Sequence, residues 1–331
     1  MLRGAVLGLG MIGRHHARIL QTSSRVEFAG AVETGGDRYR SVMDPTRIFT
    51  SIDALLASGP VDFAVVALPT DEHGPATQAL AEAGVHVLVE KPLAGTAQEA
   101  AEIIAVCERA GVHAAVGHVE RYNPALQELR RRMTAGQVGE VFLIATERIG
   151  PFPDRVRDIG VVKDLGTHDL DLVRWLSDST VEALAAQVSH RMGREHEDLV
   201  SVTGRLVGGT VFNVLVDWLS PTKVRRSRVV GEGGMLVANT LTADLTFYEN
   251  ATVSSEWDST QAMRGVSEGN AVIYALARRE PLLVEIETFC DLVEGDRDAP
   301  VVPLEDGLRA VEVAEAVLAS AAESRTVMVP V

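Results

Sequence analysis

Residues 2–13 read Leu2-Arg3-Gly4-Ala5-Val6-Leu7-Gly8-Leu9-Gly10-Met11-Ile12-Gly13, and the reading of this run decides the fold. Leu2–Leu7 has the length and the apolar content of a short buried strand. Arg14–Gln21 follows with helical character carried by Ala17, Ile19 and Leu20. G-x-G-x-x-G placed between a strand and a helix is the context in which the motif has a physical mechanism. Gly8 permits the tight turn, Gly10 lets the backbone approach a pyrophosphate, and Gly13 lets the helix pack closely on the strand. The N–H groups of the helix start then face phosphate, which brings Met11 and Ile12 into the same loop.

A second strand, Val26–Val32, ends in Glu33, 20 residues beyond Gly13. An acid at that spacing is expected on the adenosine ribose. Its carboxylate accepts both ribose hydroxyls and repels a 2′-phosphate, which favours NAD over NADP. Arg38 and Arg40 keep NADP as an alternative, and an ordinary capping or surface Glu is the plainer reading.

The alternation continues outward. Ser51–Ser58 reads as a short helix and Val61–Leu68 as a buried strand whose exit, Leu68-Pro69-Thr70, borders the cofactor site. His73-Gly74-Pro75 opens a helix through Ala83, with Pro75 suited to a first turn, and His73 is expected among the cofactor contacts together with Glu90, Lys91 and His118. Gly84–Pro92 runs Gly-Val-His-Val-Leu-Val-Glu-Lys-Pro, a fully buried strand that delivers Glu90 and Lys91 to its carboxyl end. Ligands bind at that end of open parallel sheets. A solvated Glu-Lys pair is the plain alternative. A helix from Thr96 to Ala110, with Thr96 and Glu99 as a capping box, precedes a strand Val112–Val116 that ends at Gly117-His118. Strands alternating with helices predict a doubly wound parallel sheet over residues 1–119.

After His118 the pattern changes. An amphipathic helix is expected over Pro124–Ala135 and a strand over Glu140–Ile149, followed by an arginine-bearing loop with Arg155 and Arg157. A helix is expected from Val161 to Leu176. Strand-like runs then cover Val181–Arg191, Leu199–Leu206, Thr210–Leu219, Val224–Gly231 and Leu236–Tyr248, with Gly208-Gly209 and Gly233-Gly234 as turns. Residues 120–331 are therefore expected to form an α+β domain with a large, mostly antiparallel open sheet. One sheet face would be free for an oligomer contact. Helices close the chain at Leu282–Val293 and Leu304–Ala321, and the last, about 304–321, is expected to pack back on the first domain.

Asp164 and His168 stand four apart on the Val161–Leu176 helix and so share a face, with Leu165, Leu172, Val173 and Leu176 toward the core. Histidine suits general-base chemistry because its pKa lies near working pH. A surface Asp–His pair is the ordinary alternative. Asp164, His168, Asp169 and Asp171 include no second helical His to complete a metal set, so no metal is expected.

The chain has 331 residues, 46% of them hydrophobic, and a formal net charge of −15. That balance disfavours non-specific nucleic-acid binding. Two cysteines, Cys107 and Cys290, without ligand spacing argue against a disulfide framework and for a reducing compartment. The N-terminus does not resemble a signal peptide and the apolar runs are too short to span a bilayer, so a cytoplasmic location is expected.

Gly8–Gly13, Glu90-Lys91-Pro92 and Asp164-x-x-x-His168, in this order, resemble the glucose–fructose oxidoreductase / inositol dehydrogenase (Gfo/Idh/MocA) family. The resemblance implies that Lys91, Asp164 and His168 face the nicotinamide. Gly117–Pro124 and Arg157–Leu165 are similar to the UDP-N-acetylglucosamine 3-dehydrogenase branch, although Lys163 stands where that branch suggests an apolar residue. What this implies is NAD-dependent oxidation of a sugar hydroxyl, with Arg121, Tyr122, Asn123, Arg155 and Arg157 toward a nucleotide-sugar substrate. Guanidinium forks suit phosphate; salt bridging is the other use of these arginines. A cyclitol dehydrogenase and a non-catalytic dinucleotide-binding sensor are the alternative readings. A homodimer or homotetramer is expected, with no nucleic-acid or membrane partner.

Overall fold

The computed structural model describes residues 1–153, 159–251 and 268–329, which divide into two compact units. The first comprises Met1–Val119 with Glu280–Glu312, the second Glu120–Arg279 with Val313–Val331.

In the first unit β1 (Leu2–Leu7), β2 (Val26–Val32), β3 (Ile48–Phe49), β4 (Phe63–Val66), β5 (His86–Glu90) and β6 (Ala114–Gly117) form one parallel sheet in the order β3-β2-β1-β4-β5-β6. The order reverses between β1 and β4, which leaves a crevice at their carboxyl ends. The helices are α1 (Gly13–Thr22), α2 (Ile52–Ala57), α3 (His73–Glu82) and α4 (Ala97–Ala110). Their boundaries have local causes. Thr96 and Glu99 form the reciprocal capping box at the start of α4, and Gly111, at φ 66°, ends it in the left-handed region. The sheet strands are apolar on both sides because both faces are covered.

The second expected domain, 120–331, is not continuous. Helix α7 (Pro281–Val293), numbered after the α5 and α6 of the second unit, puts Leu282, Ile286, Phe289 and Cys290 into the same core as Val6, Ile19, Phe63 and Leu88. Phe289 packs edge-on against Phe63 with centroids 5.7 Å apart. Burying such side chains stabilises by about 1.5–3 kcal/mol each, and that assigns Glu280–Glu312 to the first unit. Helix α8 (Leu304–Glu323) carries residues of both units; its Gly307 meets Leu93 and Val116, where an added Cβ would stand 3.1 Å from Leu93 Cβ.

The second unit is built on a nine-stranded sheet. Its strands are β7 (Val141–Pro151), β8 (Val181–Ser189), β9 (Leu199–Leu206), β10 (Val211–Asp217), β11 (Leu219–Gly231), β12 (Gly234–Asn239), β13 (Asp244–Asn250), β14 (Glu268–Tyr274) and β15 (Val327–Met328). The order is β14-β13-β12-β11-β7-β10-β9-β8-β15, antiparallel except for the parallel β7–β10 pair. One register row, Leu184-Gly204-Phe212-Ile144-Val229-Leu236-Phe247, runs across the buried face. There it meets α5 (Pro124–Thr134), α6 (Thr167–Ser177) and the last turns of α8 in a single core. Gly204 is required in that row, since a Cβ would come 2.4 Å from the Phe212 ring.

Two expectations fail locally. Leu236–Tyr248 is not one strand: β12 and β13 form a hairpin turning at 240–243, with Ala243 at φ 53°. Val161–Leu176 is not one α-helix: Val162–Gly166 is a π-helical turn that leads into α6. The wide turn inserts a residue and shifts the side chains before it against those after it.

Candidate functional site

The first unit holds a cavity of about 550 Å³ at the switch point, lined among others by Gly8, Gly10, Glu33, Leu68 and Pro69. The three glycines do separate jobs. Gly8 sits at φ +86° and a Cβ there would lie 2.5 Å from the Ala67 carbonyl oxygen. At Gly13 a Cβ would lie 1.9 Å from the Gly8 carbonyl oxygen, so only glycine lets α1 approach β1 this closely. Around Gly10 an added Cβ meets nothing within 4 Å. Folding thus demands Gly8 and Gly13, whereas Gly10 borders open space of the kind a pyrophosphate needs. Met11 and Ile12, between Gly10 and Gly13, remain exposed.

Glu33 Oε2 accepts the Leu9 N–H at 2.8 Å and Oε1 accepts the Gly35 N–H at 2.7 Å. Each carboxylate oxygen has a second lone pair for a hydroxyl donor. Loop, acid and cavity fit a dinucleotide. Thr70 lies in the short turn Thr70–Glu72 after Pro69.

His73 differs from the expected cofactor contact. Its ring is buried, with Nε2 3.0 Å from the Leu68 carbonyl oxygen and Nδ1 3.2 Å from that of Leu93. The ring sits between the loop after β4 and the one after β5, donating its one N–H to one of these two carbonyls, and burial pushes its pKa down. Glu90 is likewise buried: it accepts His16 Nε2–H at 2.7 Å and the Lys91 backbone N–H at 3.1 Å. Lys91 therefore leaves a strand tip that is held from below. His118 follows β6 and is buried.

In the second unit Asp164 and His168 occupy half-buried positions, Asp164 in the π turn and His168 in the first turn of α6. A carboxylate holds the entry to that turn. Glu197 Oε1 accepts the Val162 N–H at 2.9 Å, and a Cβ on Gly160 would fall 2.0 Å from that same oxygen. Below the helix Arg148 of β7 is buried between Asp169 and Glu120, donating to the latter at 2.9 Å. Burial penalises the Glu120 charge, but Arg148 outweighs it and holds the carboxyl below its usual range. Burial dominates at Asp169 and raises it.

The expected substrate arginines fare differently. Arg121 is buried and gives a two-pronged fork to Asp171, Nε–Oδ2 2.8 Å and Nη2–Oδ1 2.5 Å, an anchor for α6 in place of the phosphate contact expected of it. Asn123 caps α5 by accepting the Ala125 N–H at 3.0 Å and donates to the Thr240 carbonyl, while Tyr122 is buried. Arg121 and Asn123 thus give these polar groups to partners within the second unit. Arg155 and Arg157 lie outside the described residues.

Sequence reasoning passed over His16, Glu120, Arg148, Glu197 and Glu285. One signal was available: Glu285 sits at core spacing between Leu282 and Phe289, on an otherwise apolar helix face.

Two family models match the chain. One, described as an oxidoreductase family with an NAD-binding Rossmann fold, covers residues 2–118; the other, the GFO/IDH/MocA C-terminal domain, covers 126–237. UDP-N-acetylglucosamine 3-dehydrogenase of Acidithiobacillus ferrooxidans is 31% identical over 299 residues, 89% of this chain and 90% of that protein. Its crystal structure superposes with a TM-score of 0.84 over 96% of this chain and 97% of that one, at 29% identity. Inositol 2-dehydrogenase 2 of Saccharopolyspora erythraea is 28% identical over 64% of each chain. An oxidoreductase from Agrobacterium radiobacter solved with NAD+ shares the fold, at a TM-score of 0.82 and 20% identity over 99% of this chain and 98% of that one.

Proposed function

The chain belongs to the Gfo/Idh/MocA family of NAD-binding oxidoreductases, and from that premise we propose that it oxidises a secondary hydroxyl of a sugar. The substrate class favoured is a UDP-N-acetylhexosamine-type nucleotide sugar, attacked at C3. The observation that carries this choice is the similarity to the A. ferrooxidans 3-dehydrogenase along nearly the whole of both chains.

NAD, when bound, supplies the hydride acceptor. The rest is left to side chains. His168 takes the hydroxyl proton and Asp164 orients its imidazole, while the Lys91 ammonium polarises the same oxygen and lowers the cost of alkoxide character. Lys91 and His168 can exchange these roles, since both relay protons. Gly8, Gly10, Gly13 and Glu33 bind the dinucleotide, with Met11, Ile12, Leu68, Pro69, Thr70 and His118 around it.

A cyclitol substrate is the second reading, favoured by one observation: the Arg121 fork is occupied by Asp171 and so is not offered to a diphosphate. Incubation of the purified protein with NAD and a panel of UDP-sugars and inositols, followed by NADH absorbance, separates the two. NADH from UDP-N-acetylglucosamine alone supports the first reading, and NADH from free inositols alone replaces it.

The sheet face opposite the helices is the proposed oligomer surface, supported by the row Arg205-Val211-Leu143-Val230-Met235-Tyr248 lying on the side away from the core. Light scattering that returns a monomer mass removes it.

A further inference from the structure

Three buried titratable groups that the proposed chemistry does not use meet inside the first unit. His16 of α1, Glu90 of β5 and Glu285 of α7 each bring a ligand atom within 4.8 Å of the others. Their exposures are 0%, 5% and 1%. Glu90 is well supplied with donors, from His16 Nε2 and the Lys91 backbone. Glu285 is not: neither of its oxygens has a hydrogen-bond partner among the described residues. Its helix neighbours Leu282, Ile286 and Phe289 belong to the apolar core.

Two carboxylates this close in a dry interior do not both ionise, and the one with more donors keeps the charge. We propose that Glu285 is a positioning residue: it carries the proton of the pair, leaving Glu90 charged to hold His16 and the backbone of Lys91. The inference rests on the reading of Lys91 as an active-site group.

The surrounding charges agree. Burial, then the Glu90 charge, pushes Glu285 well above the usual carboxylate range. At Glu90 burial opposes ionisation, but the His16 hydrogen bond and the Lys91 charge outweigh it and hold the carboxyl low. From α3 the remaining group is His73, whose imidazole burial pushes down. A divalent cation is the rival occupant of the three ligand atoms; against it, His16 Nε2 and Glu90 Oε1 already face each other at 2.7 Å.

The test uses the full chain and its Glu285→Gln variant, in which the amide copies a neutral acid. Infrared difference spectra at neutral pH should show a protonated carboxyl band in the wild type that the variant lacks. The sign of the stability effect follows from linkage. A raised folded pKa gives a contribution that is full below the ordinary value of 4.5 and lost as pH rises toward the folded value. Glutamine has no proton to lose, so the melting temperature of the variant should gain on that of the wild type as pH rises. With an accepted sugar, the alkaline limb of kcat should move to higher pH in Glu285→Gln, which has no proton to lose there. Absence of the carboxyl band, or parallel melting profiles, overturns the proposal. So does one equivalent of metal in the purified protein that Glu285→Gln loses. Spectra and melting need no substrate, so they decide even if no sugar is turned over, and a wild-type infrared pH titration decides if the variant fails to fold.

Discussion

Glu33 and Leu9 are joined by a 2.8 Å hydrogen bond from the Leu9 N–H to Glu33 Oε2, so the acid just after β2 and the glycine loop after β1 act as one unit. Glu33→Ala removes a charged acceptor from both the loop and the proposed ribose site. Hydrogen bonds to charged groups contribute about 1.5–3 kcal/mol, so NAD affinity should fall about ten- to a hundredfold. The preference over NADP should narrow with it. Titrating both cofactors measures this, and an unchanged NAD/NADP ratio takes Glu33 out of the ribose site.

Gly10 and Gly13 should fail in opposite ways. A Cβ at Gly13 would stand 1.9 Å from a backbone oxygen, so Gly13→Ala should cost about 3 kcal/mol of stability in urea denaturation. Gly10→Ala has room in the folded chain and should stay within about 0.5 kcal/mol of wild type while losing NAD binding. Equal losses of stability in the two variants would refute the division of roles.

Lys91→Ala and His168→Ala should each lower kcat by about 10²–10⁴-fold with little change in NAD affinity. Stopped-flow turnover combined with cofactor titration checks both values. A near-wild-type rate in either variant removes that residue from the chemistry.

Arg148→Met should destabilise the second unit by about 3–5 kcal/mol, since it strands two buried carboxylates, Glu120 and Asp169. The Glu120 share of the pH dependence should also change sign, whereas Asp169, already raised by burial, keeps its sign. With Arg148 present, the depressed pKa of Glu120 gives stability that exists above its ordinary value of 4.5 and is lost as pH falls. Without the guanidinium both acids prefer to be protonated, and stability should decline as pH rises. Urea midpoints across the acid range read the two slopes.

The sequence was most legible where the deciding interactions are local. The capping box Thr96/Glu99, the strand-turn-helix context of Gly8–Gly13 and the buried run before Glu90 each specify their element within a few residues. The second half resisted the same reading. The hairpin turn between β12 and β13 carries no Gly or Pro, only Ala243 at positive φ, because pairing across the sheet imposes it. The π turn before α6 is held by Glu197 from beyond β8, a contact between Val162 and a residue 35 positions away.

By itself the sequence determined the doubly wound sheet, its cofactor loop and the family, since strand and helix periods and glycine spacing are short-range properties of the chain. Only the tertiary structure decided that Glu280–Glu312 completes the first unit and that Arg121 serves Asp171. It alone brought His16, Glu90 and Glu285 together. Desolvation is the physical reason. A buried charge must find a partner wherever the fold places one, and that partner can lie anywhere along the chain.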